Sequence, residues 1–92
     1  MNDLFQINCW FEGRVQGVGF RYKTMNISKE FKVAGTVRNL PDGRVHLYVE
    51  GEESEVCAFQ QAVAQKLKHY ISAAKVETSS GPCTCNNFDI IC

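Results

Sequence analysis

Long apolar runs, net charge and histidine are what this 92-residue chain has little of. No stretch approaches the roughly 18 consecutive apolar residues that a membrane helix requires, which excludes a helical span. The opening Met-Asn-Asp-Leu-Phe-Gln carries Asp3 and no basic n-region, so the expectation is a chain without a secretory leader, acting in the cytoplasm. Ten Lys and Arg balance ten Asp and Glu, leaving no overall field to attract polyanions or anionic lipid. Nucleic acid and membrane surfaces are therefore not expected partners. Metal is not expected either. The one close cysteine pair, Cys83-Thr84-Cys85, is spaced more tightly than a zinc knuckle, and no second pair or histidine cluster completes a ligand set.

The other cysteines are Cys9, Cys57 and Cys92, and the odd total of five argues against a complete disulfide framework. Reduced thiols are the expectation, although spacing alone does not decide whether Cys9 and Cys57 are joined. The composition, 45% hydrophobic and 22% charged, is that of a globular protein. A chain of this length buries roughly two-thirds of its unfolded surface, enough for one core. No internal repeat or low-complexity linker divides it, so residues 1–92 read as one domain.

Ile7, Cys9 and Phe11 alternate with Asn8, Trp10 and Glu12, which predicts a strand with one apolar face. A stretch with Gly13, Gly17 and Gly19 follows, then Phe20, Thr24, Ile27 and Phe31 at helical spacing. Lys29 and Lys32 suit the last turns of that helix, Gly35 its exit, and a second strand is expected to Leu40. Pro41-Asp42-Gly43 predicts a hairpin turn into a third strand, where Val45, Leu47 and Val49 alternate with His46, Tyr48 and Glu50. Acidic Glu52, Glu53 and Glu55 precede a second helix marked by Val56, Phe59, Val63, Leu67 and Tyr70 and closed by Lys66, Lys68 and His69. A short strand over 74–78, a loop over 79–82 and a last strand with Phe88 and Ile90 complete the chain. The order β-α-β-β-α-β with an additional C-terminal strand predicts an α+β ferredoxin-like sandwich with both helices on one face of the sheet.

The chemistry is concentrated in the glycine-rich stretch. Small residues before a helix N-terminus let backbone N–H groups converge, and the helix end adds partial positive charge, which together make an anion cradle. Arg21 and Lys23 lie in the first helical turn, where a cation opposes the dipole by roughly 0.3–1 kcal/mol. A bound phosphate would reverse that sign. Spacing alone leaves a phosphate site and a plain glycine turn both open. Neither the P-loop pattern nor the dinucleotide fingerprint fits Gly13 to Gly19.

Two segments, Gly13-Arg-Val-Gln-Gly-Val-Gly-Phe-Arg21 and Gly35-Thr-Val-Arg-Asn39-Leu-Pro-Asp-Gly43, strongly resemble the acylphosphatase family in content, order and separation. Val49-Glu50-Gly51 and Phe88-Asp89-Ile90 fit the same plan. The resemblance implies hydrolysis of the carboxyl-phosphate anhydride of small acyl phosphates, with no metal or cofactor. It implies Arg21 as the catalytic phosphate-binding arginine and Asn39 as the residue that positions water. The backbone amides of Val15, Gln16, Gly17, Val18, Gly19 and Phe20 would form the phosphate-binding loop. The chain departs from the family at Thr36, where Trp is common, and at His69-Tyr70, where Gly-Pro often closes the second helix. A monomer acting on a small molecule is the expectation, since no apolar stripe is left unassigned.

The reaction suits these side chains. An acyl phosphate expels a carboxylate whose conjugate acid has a pKa of about 4, so no enzymic acid is needed for departure. Asn39 is no base, but its amide oxygen can hold a water. Gln16 reads as a loop-shaping residue, Arg14 as a peripheral charge, and His46 and His69 as solvated or dipole-complementing groups. Trp10 and Tyr48 read as an aromatic cluster on the open sheet face. An alternative function is a phosphate- or carbamoyl-phosphate-binding module with negligible turnover, as in acylphosphatase-like domains of larger maturation proteins. RNA binding by the sheet would want more Lys and Arg around its aromatics than Arg44, His46, Tyr48 and Glu50 supply.

Overall fold

The computed structural model describes residues 3–91. Strand β1 (Leu4–Gly13) leads through the glycine loop into helix α1 (Phe20–Ser28), followed by β2 (Val33–Asn39) and β3 (Val45–Gly51). Helix α2 (Glu53–Lys66), a 3-10 turn over Lys68–Tyr70, β4 (Ile71–Gly81) and β5 (Phe88–Ile91) complete the chain. The strands form one sheet in the order β4-β1-β3-β2-β5. Every neighbouring pair is antiparallel except β2 and β5, which run parallel. This is the expected ferredoxin-like α+β sandwich with its additional terminal strand.

Period-2 alternation places the apolar side chains of three strands on one face. Ile7, Cys9 and Phe11 of β1, Val37 of β2 and Val45, Leu47 and Val49 of β3 are buried there beneath Phe20 and Ile27 of α1 and Val56, Phe59 and Val63 of α2. Burying side chains of this size contributes roughly 1.5–3 kcal/mol each. Aromatic rings link the layers. Phe11 meets Phe20 at 5.3 Å between centroids, and Phe59 meets both Phe31 at 5.9 Å and Phe88 at 5.5 Å.

Three boundaries differ from the sequence reading. Helix α1 stops at Ser28, where Ser28 Oγ donates back to Met25 O at 2.5 Å. The following N–H groups of Glu30 and Phe31 turn to the carbonyls of Ile27 and Ser28 in tighter i→i−3 bonds, so Lys29 and Lys32 lie beyond the helix. Gly35 is an interior residue of β2 rather than a helix exit. A Cβ there would sit 1.9 Å from Tyr48 O, so the close approach of β2 to β3 requires glycine. Helix α2 ends at Lys66, because Leu67 leaves the helical region and Tyr70 N bonds Leu67 O as the chain turns into β4.

Strand β4 is the largest departure. It runs from Ile71 to Gly81, absorbing all of the expected loop over 79–82 except Pro82, and pairs with β1 from Leu4↔Gly81 to Gly13↔Ile71. Nearly all of its side chains are exposed, so no burial alternation announces it. Backbone pairing drives it: the outer N–H and C=O groups of β1 need partners.

The open face also differs in detail. Trp10 meets His46 at 5.2 Å between ring centroids, tilted by 40°, with Lys75 Nζ over the Trp10 ring at 5.7 Å, while Tyr48 donates to Glu50 Oε1 at 2.6 Å. The expected single aromatic cluster is divided, because the register of β1 on β3 sets Trp10 opposite His46 and Tyr48 opposite Asn8. The described cysteines Cys9, Cys57, Cys83 and Cys85 are unpaired, and Cys92 lies outside the described residues. Burial pushes the Cys9 thiol up to about 12, as befits a small core hydrophobe.

Candidate active site

The glycine loop connects the end of β1 to the start of α1. Gly17 and Gly19 both adopt φ +77°, the left-handed region open to glycine, and Gly19 is the N-cap of α1 with no side-chain cap. A Cβ at either residue would meet nothing within 4 Å, so backbone conformation, not crowding, demands glycine. Open space faces the loop. Among the described residues, the amides of residues 15–20 donate no hydrogen bond to another loop or side-chain group. Those donors, with the unpaired first-turn N–H groups of α1, make the loop receptive to an anion.

Side chains hold this loop in place. Gln16 Nε2 donates to Leu40 O at 2.8 Å and to Arg44 O at 2.9 Å, clamping the loop to the β2–β3 hairpin. The hairpin is itself set by Gly43 N donating to Leu40 O and by Asp42, which accepts from Arg44 N and Nε. Lys23 does not face an anion site. Its Nζ donates to Val18 O at 3.1 Å and to Tyr70 Oη at 3.0 Å, lying 4.6 Å from the Tyr70 ring centroid. A carbonyl, a hydroxyl and a ring thus partner its charge, contacts that offset the unfavourable placement near the helix N-terminus expected from the sequence.

One cavity of about 300 Å³ opens beside the loop, lined by Val15, Gly17, Gly19, Phe20, Arg21, Tyr22, Asn39 and Ile90. It brings Arg21 and Asn39 together from different elements. Arg21 sits in the first turn of α1, and its Nη1 donates to Ile91 O at 3.3 Å. Asn39 ends β2 with the same parity as buried Val37, which directs it to the helix-covered face. Its Oδ1 is buried without a hydrogen-bond partner in the protein. A buried amide oxygen left free costs stability, and such atoms mark places where a ligand or water is accommodated.

Of the loop residues read from the sequence, Val15, Gly17, Gly19 and Phe20 line the cavity, whereas Gln16 and Val18 support the loop from behind. Arg14 is exposed and does not line it. His46 belongs to the opposite sheet face, where its Nε2 lies 2.8 Å from Asn8 Oδ1. Burial, with the charges of Arg38 and Arg44, holds its pKa below the usual histidine value. Two lining residues, Tyr22 and Ile90, lie outside the set of site residues expected from the sequence. Tyr22 is adjacent to Arg21 and could have been suspected. Ile90 could not, since only the parallel pairing of β5 with β2 delivers it.

Comparison with known proteins identifies the family. The acylphosphatase family model matches residues 7–90. An acylphosphatase of Archaeoglobus fulgidus is 45% identical over 60 residues, covering 65% of this chain and 67% of that protein. One from Pseudomonas aeruginosa is 40% identical over 72 residues, covering 77% of this chain and 79% of that protein. The crystal structure of acylphosphatase from Bacillus subtilis superposes with a TM-score of 0.84 at 33% identity, covering 95% of this chain and 98% of that one. With the glycine loop, Arg21 and Asn39 gathered on one cavity, these matches make the chain a member of the acylphosphatase family, enzymes that hydrolyse acyl phosphates.

Proposed function

We propose that residues 1–92 act as one acylphosphatase domain in which Arg21 and Asn39 carry the hydrolysis of small acyl phosphates. The observation that supports this most is the single cavity on which the guanidinium of Arg21, the unpartnered Oδ1 of Asn39 and the loop glycines converge. Phosphoryl transfer demands in-line positioning and stabilisation of charge on the equatorial oxygens. The amides of Val15 to Phe20 and the guanidinium of Arg21 bind those oxygens. A planar fork of donors suits them better than a point charge.

Asn39 Oδ1 accepts a hydrogen bond from a water and aims its oxygen at phosphorus. As the P–O(water) bond forms, the P–O(acyl) bond breaks and the carboxylate departs with the electron pair. The water proton passes to a phosphoryl oxygen of the substrate, giving inorganic phosphate. A leaving carboxylate of pKa about 4 needs no proton from the protein.

The partner is a small molecule, without nucleic acid, membrane, metal or cofactor. We read the protein as a cytoplasmic monomer. The unpaired thiols suit a reducing compartment, and the large exposed apolar side chains among the described residues are the scattered Tyr22, Val76 and Ile91.

The test is steady-state hydrolysis of a chromogenic acyl phosphate, with a chelator present, by the unmodified chain and by Arg21→Gln. Turnover that falls about 1000-fold or more in the variant supports the assignment. A folded, phosphate-binding chain without turnover would instead be a non-catalytic module.

A further inference from the structure

The cavity beside the loop has two kinds of wall. Arg21 and Asn39 are engaged by the phosphoryl group and the attacking water in the reading above, and the one other polar side-chain group is the Tyr22 hydroxyl. The rest is carbon: Val15 and Phe20, each 1% exposed, together with Ile90 and the ring of Tyr22. Val15 and Phe20 belong to the core and form a fixed floor. Tyr22 is different. It is 66% exposed, the most exposed large hydrophobic side chain among the described residues, and it lines the cavity one residue beyond Arg21. The ring therefore stands at the mouth, with much of its surface still available for burial.

A phosphoryl group seated against Arg21 and the loop leaves these carbon walls, with Tyr22 among them, as the lining open to the acyl group. No further cationic side chain lines the cavity to hold a charged acyl group, and beyond Arg21 and Asn39 the one hydrogen-bonding side-chain group among its lining residues is the hydroxyl at the tip of Tyr22. A flat or branched apolar acyl group would instead exchange water for contact with Tyr22, Val15 and Ile90. Aromatic surface favours such contact through its area and its ring geometry.

We propose that Tyr22 is a specificity-determining residue that, with Val15 and Ile90, selects acyl phosphates with apolar, and especially aromatic, acyl groups. This rests on the placement of the phosphoryl group by Arg21 and the loop. Tyr22 is not part of the chemical step: it touches the acyl group, not the reacting atoms.

The experiment compares kcat/KM for benzoyl phosphate and acetyl phosphate in the unmodified chain, Tyr22→Ala and Tyr22→Phe. Intrinsic reactivity differs between the two substrates but cancels when variants are compared. Truncation of an exposed helical tyrosine to alanine, a better helix former, should leave the fold intact, which circular dichroism checks. The expected result is a benzoyl-to-acetyl preference lowered about tenfold in Tyr22→Ala, chiefly through a higher KM for benzoyl phosphate, and retained in Tyr22→Phe. Equal losses on both substrates, or an unaltered preference, would overturn the assignment of Tyr22 while leaving the hydrolytic reading intact. Failure of the unmodified chain to hydrolyse either substrate would overturn that reading and this inference with it.

Discussion

Arg21 Nη1 donates to Ile91 O across 3.3 Å, joining the first turn of α1 to the last strand. The contact spends one of the five donors of the guanidinium and leaves the others available. It exists because β5 runs parallel to β2, with Arg38 opposite Ile91, so that β5 arrives beside the helix that follows the glycine loop. A backbone acceptor thus steadies an otherwise flexible side chain at the rim of the cavity. Under the proposed role of Arg21, preorganisation of this kind lowers the cost of ordering the arginine on phosphate.

In the proposed mechanism Asn39 separates binding from turnover. Replacing it with alanine deletes the amide assigned to the water and leaves Arg21 and the loop amides, the groups assigned to phosphate, in place. The expected outcome is a kcat lowered about 100-fold with inorganic phosphate inhibiting at a similar concentration. Steady-state kinetics with phosphate as competitive inhibitor measures both. An unaltered kcat would remove Asn39 from the mechanism.

Gln16 acts from behind the loop. Gln16→Ala deletes two hydrogen bonds to the hairpin carbonyls, and net contributions of roughly 0.5–1.5 kcal/mol each set the expected loss of stability. Activity should fall as well, because the loop loses its tie to the hairpin bearing Asn39. Gln16→Glu should do more harm, since a carboxylate cannot donate to those carbonyls and repels the phosphoryl group. Urea unfolding and the phosphate inhibition constant together read the two effects. If both variants bind phosphate as the unmodified chain does, the clamp has no bearing on the cradle.

Glu50 predicts an acid-sensitive stability. It is 1% exposed on the open sheet face, where it accepts hydrogen bonds from Tyr48 Oη, Thr84 N, Thr84 Oγ1 and Cys85 N. These bonds tie the crossing segment between β4 and β5 to the end of β3. Burial alone would raise its pKa, but the donors from Tyr48, Cys85 and Thr84 outweigh it and bring the carboxyl down to about 2 from 4.5. Burial, reinforced by Glu50, correspondingly pushes Tyr48 up to about 12.

A lowered folded-state pKa means that the stabilisation is present above the unfolded value near 4.5 and disappears as pH falls through about 2. The difference is on the order of 3 kcal/mol. Urea midpoints measured across that window should fall steeply for the unmodified chain and less for Glu50→Gln. Parallel pH profiles would show that the Glu50 carboxylate contributes nothing.

The sequence by itself determined the elements whose patterns are local. The alternation in β1 and β3, the helical spacing of Phe20 to Ile27 and Val56 to Val63, and the Pro41-Asp42-Gly43 turn need only the geometry of one strand, helix or turn to be read. The candidate site was legible through its two motifs, in which loop glycines, Arg21 and Asn39 stand at recognisable spacings.

Tertiary structure decided what depends on partners remote in the chain. Strand β4 has almost no buried side chains and forms because β1 offers an unpaired edge, a demand invisible in residues 71–81 themselves. Helix α2 gives way at Lys66 to a turn that places Tyr70 against Lys23, and Glu50 is buried because a segment more than 30 residues later crosses over it. Ile90 joins the cavity, and Ile91 meets Arg21, through parallel pairing across the whole domain. Local periodicity records which face a residue turns inward; it does not record which distant backbone or charge will be waiting there.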